Sequence, residues 1–169
     1  MSVVTIIAGV GVGLPLRAVV IAAVLVAAAV TDLRGGLIPN RLTGPAALVF
    51  LALLALGLGP APLAALGGAV AAALLLWGVR ALGEVTVGAP GMGWGDVKLG
   101  AVVGLALGWP VLWALYLAAA LGAVFGVAGR ATGRLVPQQR VPFAPFIALG
   151  VALGAVVPFE SVWERLVTP

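Results

Sequence analysis

Two acidic residues at the edges of apolar segments are the side chains best suited to chemistry in this sequence. Asp32 lies in the segment Ala-Val-Thr-Asp-Leu-Arg, and Asp96 lies in Gly-Met-Gly-Trp-Gly-Asp-Val-Lys. The chain holds only five acidic residues in 169, and 63% of its residues are hydrophobic. A carboxylate beside hydrocarbon is costly unless it is paired, hydrated or functional. Both aspartates are therefore candidate site residues.

The residue types that are missing narrow the available chemistry. The sequence contains no histidine and no cysteine, which excludes disulfides, thiol nucleophiles, zinc fingers and Ser-His-Asp triads. Two neighbouring carboxylates do not both ionise easily, so one holds a proton while the other activates water. Such a pair hydrolyses amides without a metal. Carboxylate-driven hydrolysis is thus the main catalytic option, and we expect no metal and no cofactor.

Each aspartate also has a purely structural interpretation. Asp96 could cap the start of a helix, where an acid satisfies free amides and the helix dipole. Asp32 ends an apolar segment, where an acid opposes the dipole, so a cap does not explain it. It could instead pair with Arg34 or Arg41, or face headgroup water. Two acids on one membrane side, each opening a glycine-rich connection, favour a shared site.

Composition predicts that membrane-spanning helices position these acids. Only 8% of the residues are charged, whereas soluble domains average about 25%. We expect a single membrane-embedded domain over residues 1–169, all-α, with about six transmembrane helices. Spans of roughly 20 residues, separated by glycine and proline, are predicted at 16–31, 41–58, 63–82, 96–107, 111–128 and 141–157.

The N-terminal region has two interpretations. Met1–Pro15 is predicted to be a short interfacial or partly inserted segment before the first span. Ala27-Ala28-Ala29 resembles a signal-peptide cleavage site, but no basic residue precedes Arg17, and cleavage there would discard the helix leading into Asp32. A retained first span is therefore favoured.

The basic residues predict an orientation in the cell membrane. With six spans, seven of the nine basic residues fall on one side. Basic residues near span ends stay cytoplasmic, so both aspartates are expected at the cytoplasmic edge and both termini outside. No basic run resembles a nucleic-acid footprint; the lipid bilayer is the expected partner. The seven are Arg34, Arg41, Arg80, Lys98, Arg130, Arg134 and Arg140; Arg17, Arg165, Glu160 and Glu164 fall opposite.

Glycine patterns suggest where helices or loops approach one another. Gly93 and Gly95 are expected to allow an unusual backbone path before Asp96 and to let another chain pass close by. The stretch Arg80–Gly95 is predicted to be a long loop that could gate access to the site. Glycines spaced four apart favour intramolecular helix packing over dimerisation; they are Gly100, Gly104 and Gly108, Gly122 with Gly126, and Gly150 with Gly154.

Three blocks of the sequence resemble the type IV prepilin peptidases, membrane aspartyl proteases of the GxGD class. The resemblance runs from about Ala28 to Gly150, and three ordered blocks are a stronger signal than GxGD alone. It implies that Asp32 and Asp96 are the catalytic pair and that prepilin leaders are cut at the cytoplasmic membrane edge. The blocks are Asp32-Leu33-Arg34 with Ile38-Pro39-Asn40-Arg41-Leu42-Thr43; Gly91-Met92-Gly93-Trp94-Gly95-Asp96-Val97-Lys98-Leu99; and Val141-Pro142-Phe143-Ala144-Pro145-Phe146-Ile147-Ala148-Leu149-Gly150.

Supporting residues follow from the same blocks. Lys98 would tune Asp96 or orient its helix, although a snorkelling interfacial base is an equally good interpretation. Pro39 and Asn40 would shape the turn that presents Asp32. Larger bifunctional members of the family carry a four-cysteine zinc site linked to methylation of the new pilin N-terminus. This cysteine-free chain instead resembles short peptidase-only forms, of the Flp/Tad or archaeal preflagellin type, without N-methyltransferase activity.

The sequence is also compatible with two functions of other classes. The chain could be a small transporter subunit whose acids bind a cation or a proton, or a structural assembly component. Shortening of a co-expressed prepilin would indicate a peptidase, whereas acid-dependent ion flux would indicate a transporter.

Overall fold

Six α-helices make up the described part of the chain. The computed structural model describes residues 3–88, 91–134 and 141–157, with the backbone alone for 3–14 and 87. No strand occurs within these residues, which confirms the prediction of an all-α bundle. The helices are α1 (Val3–Gly35), α2 (Asn40–Ala55), α3 (Pro62–Val87), α4 (Trp94–Leu107), α5 (Val111–Ala131) and α6 (Ala144–Val156).

The six helices differ in length. Apolar stretches long enough to cross a membrane occur in α1, α3 and α5, at Pro15–Gly35, Pro62–Thr86 and Val111–Ala131. The helices α2, α4 and α6 are shorter, with 16, 14 and 13 residues. A helix rises about 1.5 Å per residue and the hydrocarbon core is about 30 Å thick, so these three are short for a full crossing. The protein is a multi-pass membrane protein, and its described residues form a bundle of three long and three short helices.

Helix α4 is at the centre of the bundle. It contacts each of the other five helices, most extensively α3 and α2. Its side chains Val97, Leu99, Val102 and Val103 are buried in the core. A helix that packs against several neighbours needs apolar residues around most of its circumference. The short apolar α4 therefore carries Asp96 into the interior rather than to a lipid-facing surface.

Contacts between helix ends bring both aspartates to one end of the bundle. The last turn of α1 meets the start of α6, where Asp32 bonds to Ala144. The first turns of α4 and α2 meet where Lys98 bonds to Asn40. The C-terminal part of α3 bonds to the segment before α4. We call this end, formed by the C-terminal ends of α1, α3 and α5 and the N-terminal ends of α2, α4 and α6, the aspartate end.

The first helix is longer than predicted in both directions. It is continuous from Val3 through Pro15, so the expected separate segment is absent over residues 3–15. Membrane helices tolerate proline because neighbouring groups satisfy the freed carbonyl. At the other end α1 reaches Gly35 and stops at Gly36, whose φ of 62° suits glycine. Asp32 therefore lies in the last turn of α1, and the connection to α2 is shorter than predicted.

The predicted loop Arg80–Gly95 is mostly helical, so that prediction is wrong for residues 80–87. Helix α3 continues to Val87 and ends at Gly88, which has a φ of 71°. The Arg80 Nη2 to Glu84 Oε1 ion pair, 2.8 Å long, supports this last part because residues four apart share a helix face. The stretch for which the sequence suggested gating is thus helical at 80–87 and 94–95, and residues 89 and 90 lie outside the described residues.

The remaining helix ends differ from their predicted positions by smaller amounts. Helix α4 begins at Trp94 rather than Asp96, α5 extends to Ala131, and α6 begins at Ala144. Of the predicted basic loop at 129–140, residues 135–140 lie outside the described residues, as do Glu160, Glu164 and Arg165.

Most of the spaced glycines pack helices against each other within the chain, as predicted. A Cβ at Gly104 would lie 2.5 Å from the Ala69 Cα of α3, and one at Gly150 would collide with Ala114 and Ala118 of α5. Gly126 is the exception, because its Cβ would meet only the Arg130 side chain of the same helix. The close approaches of Gly104 and Gly150 leave no room for a methyl group.

We expect Gly104→Ala to destabilise the bundle and Gly126→Ala to be tolerated. The added methyl at position 104 pushes α3 from α4, and overpacking of this kind costs about 1–3 kcal/mol. At position 126 the methyl displaces only a flexible side chain and gains up to about 1 kcal/mol of helix propensity. Thermal unfolding in detergent, followed by circular dichroism, measures both. Equal melting temperatures for the two variants would contradict this account of the packing.

Candidate active site

Asp32 is buried and bonded across the bundle. Its side chain is 7% exposed, and its Oδ2 accepts a hydrogen bond of 3.0 Å from the backbone N–H of Ala144. Ala144 is the first residue of α6, where backbone amides lack partners within their own helix. Asp32 thus caps a helix other than its own. The suggested partners Arg34 and Arg41 are exposed, and no ion pair among the described residues involves Asp32.

Asp96 is the third residue of α4 and is 8% exposed. Its Oδ2 accepts a 3.2 Å hydrogen bond from the backbone N–H of Gly93, the N-cap residue. This contact confirms the capping interpretation for one carboxylate oxygen. The other oxygen, Oδ1, is buried and has no hydrogen-bond partner among the described residues. An unsatisfied buried acceptor is uncommon in native proteins.

The two carboxylates lie within electrostatic range of each other at the aspartate end. The backbone makes this convergence possible at Gly95, where a Cβ would lie 2.8 Å from the Ile38 Cβ and 3.3 Å from its backbone nitrogen. Ile38 belongs to the connection that follows Asp32. The start of α4 therefore presses directly against the segment after α1, and only a residue without a side chain fits between them.

The two glycines before Asp96 allow close contacts between atoms and do not adopt unusual backbone angles. Gly93 has ordinary extended angles, with φ −75° and ψ 151°, and Gly95 is helical. The expectation of an unusual backbone path is therefore wrong, while close passage of another segment is confirmed at Gly95. A Cβ at Gly93 would lie 3.1 Å from Oδ2 of Asp96. The missing side chain at Gly93 therefore leaves space beside the Asp96 carboxylate, and that at Gly95 leaves space for Ile38.

The predicted supporting residues lie at the start of α2 and on α4. Pro39 is the N-cap of α2, and its carbonyl accepts the N–H groups of Leu42 and Thr43. Asn40 is the first residue of α2, and its Oδ1 accepts a 2.8 Å hydrogen bond from Lys98 Nζ. Lys98 is exposed and joins α4 to α2. Its contact is thus with Asn40, the residue that begins the helix after the first aspartate block.

Two contacts of this site were missed from the sequence. The Ala144 amide binds Asp32, and the sequence signals this contact only indirectly. The signal is Pro145, which lies in the first turn of α6, where proline is favoured. Arg80 donates from Nη1 to the Met92 carbonyl at 2.8 Å and lies 5.0 Å from the Trp94 ring centroid. A single arginine in a glycine-rich stretch offers no sequence signal for that contact.

The fold and the site together define a polytopic membrane protein with a two-carboxylate site, a class that includes hydrolases and ion-coupled carriers. Sequence comparison shows the family of this chain. Residues 19–128 match the type IV leader peptidase family, and the chain belongs to that family. This match contains both aspartates and confirms the resemblance seen in the sequence blocks.

Several bacterial proteins are similar over most of this chain. It is 42% identical over 155 residues to the prepilin leader peptidase/N-methyltransferase of Bacillus subtilis strain 168, covering 87% of this chain and 59% of that protein. The protein of the same name from Burkholderia pseudomallei strain 1026b is 36% identical over 141 residues, covering 83% and 46%. That from Pseudomonas aeruginosa PAO1 is 35% identical over 128 residues, covering 74% and 43%.

The chain spans about half the length of the curated relatives it matches. No solved structure gives a significant match.

Proposed function

We propose that this protein is a membrane aspartyl endopeptidase that removes the leader peptide of type IV prepilin-like substrates, of the Flp/Tad or preflagellin type. The observation that carries the proposal is the convergence of two buried carboxylates, Asp32 and Asp96, in a chain of the type IV leader peptidase family. Relatives named prepilin leader peptidases support the substrate class.

The proposed reaction is the attack of water on the scissile carbonyl. One carboxylate of the pair takes a proton from the water as its oxygen bonds to the carbonyl carbon. The other, protonated, carboxyl group donates to the carbonyl oxygen. As the tetrahedral intermediate collapses, the carboxyl group that took the water proton gives it to the leaving nitrogen and the C–N bond breaks. The other carboxylate takes a hydroxyl proton from the intermediate, which restores the pair. We assign these roles to the pair as a unit, because coupled carboxylates titrate together.

The burial of the pair supports this chemistry. Two carboxylates in a shared, partly dry environment favour a single shared proton over two charges. The unsatisfied Oδ1 of Asp96 is available to a proton or to the attacking water, while Oδ2 is held by Gly93. Asp32 keeps its orientation through the Ala144 amide. We propose that Gly93 and Gly95 admit this arrangement and that Pro39, Asn40 and Lys98 hold the start of α2 beside it.

Co-expression with a prepilin tests the proposed activity. The substrate should become shorter at its N-terminus, which mass spectrometry of the product measures directly. A transporter would instead produce acid-dependent ion flux in proteoliposomes and leave the prepilin at full length. The relatives' names include N-methyltransferase. For this cysteine-free chain we expect the new N-terminus without an added methyl group, and the same mass spectrum reports it.

We propose that the aspartate end faces the cytoplasm, because the predicted excess of basic residues falls there. The absence of cysteine allows a direct test with single thiols. Leu37 is 75% exposed at the aspartate end, and Leu63 is 83% exposed at the opposite end. With a membrane-impermeant maleimide, Leu37→Cys should label only in inside-out vesicles and Leu63→Cys only in intact cells. The reverse pattern would overturn the orientation.

A further inference from the structure

Arg80 joins the end of α3 to the segment that leads into Asp96. Its side chain is 17% exposed and forms the 2.8 Å ion pair with Glu84 through Nη2. From Nη1 it donates a 2.8 Å hydrogen bond to the carbonyl of Met92, and its guanidinium lies 5.0 Å from the centre of the Trp94 ring. The backbone adds a 3.4 Å hydrogen bond from Gly91 N–H to the Arg80 carbonyl. One residue thus contacts three successive parts of the segment.

The Met92–Gly93 peptide group connects Arg80 to Asp96. Its carbonyl oxygen accepts from Arg80, and its N–H donates to Oδ2 of Asp96. A trans peptide is planar and directs its oxygen and its N–H to opposite sides. Fixing the oxygen therefore fixes the direction of the N–H. Hydrogen bonds in such a chain also polarise one another, which strengthens the bond to the carboxylate.

We propose that Arg80 is a positioning residue for the second aspartate, acting through the Met92–Gly93 peptide group that it holds against α3. This inference rests on the proposed peptidase function. Arg80 does not contact the reacting atoms itself. It orients the amide that holds one oxygen of Asp96 and so keeps the other oxygen directed toward the shared site.

The geometry requires arginine rather than any cation. The planar guanidinium donates to Glu84 and Met92 from different nitrogens while its face lies over Trp94. A lysine ammonium is a point charge on a flexible chain and does not reproduce these three contacts together. Gly91 contributes to the same junction, because a Cβ there would lie 2.8 Å from the Val79 carbonyl oxygen. A methyl group at position 91 would push the segment away from α3.

The test compares cleavage kinetics with amide hydrogen exchange in the full-length protein. For Arg80→Gln we expect kcat to fall at least about 10-fold with KM within about 2-fold, because misplacement of a catalytic group by 1 Å can cost 100-fold. The kcat of Arg80→Lys should lie between that of Arg80→Gln and that of the unaltered protein. Gly91→Ala should lower kcat as much as Arg80→Gln does. In both Arg80→Gln and Gly91→Ala the amides of residues 91–96 should exchange faster.

Matched controls separate this role from general effects of charge or packing. Arg130→Gln removes the same charge from an exposed position at the same end, and Gly78→Ala adds a methyl in open space on α3. Both should keep normal cleavage and exchange. Glu84→Gln removes only the half-exposed ion-pair partner and should change kcat less than about 3-fold.

Three results would overturn the inference. They are normal kcat in Arg80→Gln, unchanged exchange at residues 91–96 in that variant, or a loss in Glu84→Gln as large as in Arg80→Gln. If the unaltered protein does not cleave prepilin, the proposed function fails. The exchange measurement still decides in that case whether Arg80 holds the segment.

Discussion

Asp96→Asn and Asp32→Asn should each reduce prepilin cleavage to near background, a loss of roughly 10²–10⁴-fold in kcat. Asparagine has nearly the same size and keeps a carbonyl oxygen that can accept the Gly93 N–H or the Ala144 N–H. It neither takes a proton from water nor donates one as an acid. Each substitution therefore removes one half of the proposed proton transfer while leaving the capping contacts in place.

The pair should behave as a single unit in this experiment. The double variant should lose little more activity than either single one, because removing one member already disables the other. Glu160→Gln serves as the control, since it removes an acid that the charge pattern assigns to the opposite membrane side. Membrane insertion and melting temperature should be normal in all of these variants. Normal cleavage by either single variant would disprove the assignment of the pair.

Gly95→Ala should lower kcat by about 10–100-fold without loss of the folded protein. The added Cβ would lie 2.8 Å from the Ile38 Cβ, whereas carbon atoms normally approach to about 3.5–4.0 Å. The start of α4 and the segment after α1 must then separate by roughly 1 Å, and a shift of this size can cost about 100-fold. Because Asp96 lies at the start of α4 and Asp32 lies in the last turn of α1, which leads directly into the segment containing Ile38, the separation acts on the proposed catalytic pair.

Gly44→Ala is the matched control for this prediction. Gly44 is a helical residue of α2 near the same end, and a Cβ there meets no atom within 4 Å. This variant should cleave normally and gain slightly in stability. Steady-state cleavage of a prepilin peptide by both purified variants, with circular dichroism for folding, measures the difference. Equal kcat values would show that the Gly95–Ile38 contact does not set the distance between the aspartates.

The fold class and the candidate pair were predictable because each has a strong local cause. A chain with 63% hydrophobic residues and 8% charged residues satisfies its backbone in a membrane as helices. In such a chain an isolated carboxylate is rare enough to mark Asp32 and Asp96. The glycines spaced four apart also indicated close helix packing correctly, since Gly104 and Gly150 have no room for a side chain.

Helix ends were predicted less well, because local signals near glycine and proline compete with tertiary contacts. The charged and glycine-rich stretch after Arg80 suggested a loop. It is helical to Val87, where Arg80 pairs with Glu84 and bonds to the segment that follows. Likewise α1 continues through Pro15. Glycine and proline indicate where a helix can stop, and packing decides which of these places is used.

Sequence alone determined the helical membrane class and marked two acids as the candidate chemical centre, since side-chain type and hydrophobicity are local properties. Only the tertiary structure decided how these acids are held. Asp32 bonds to an amide 112 positions away, at the start of α6, and Asp96 bonds to a peptide group that Arg80 holds from α3. Hydrogen bonds between distant segments depend on the relative placement of whole helices, which no local pattern of residues records.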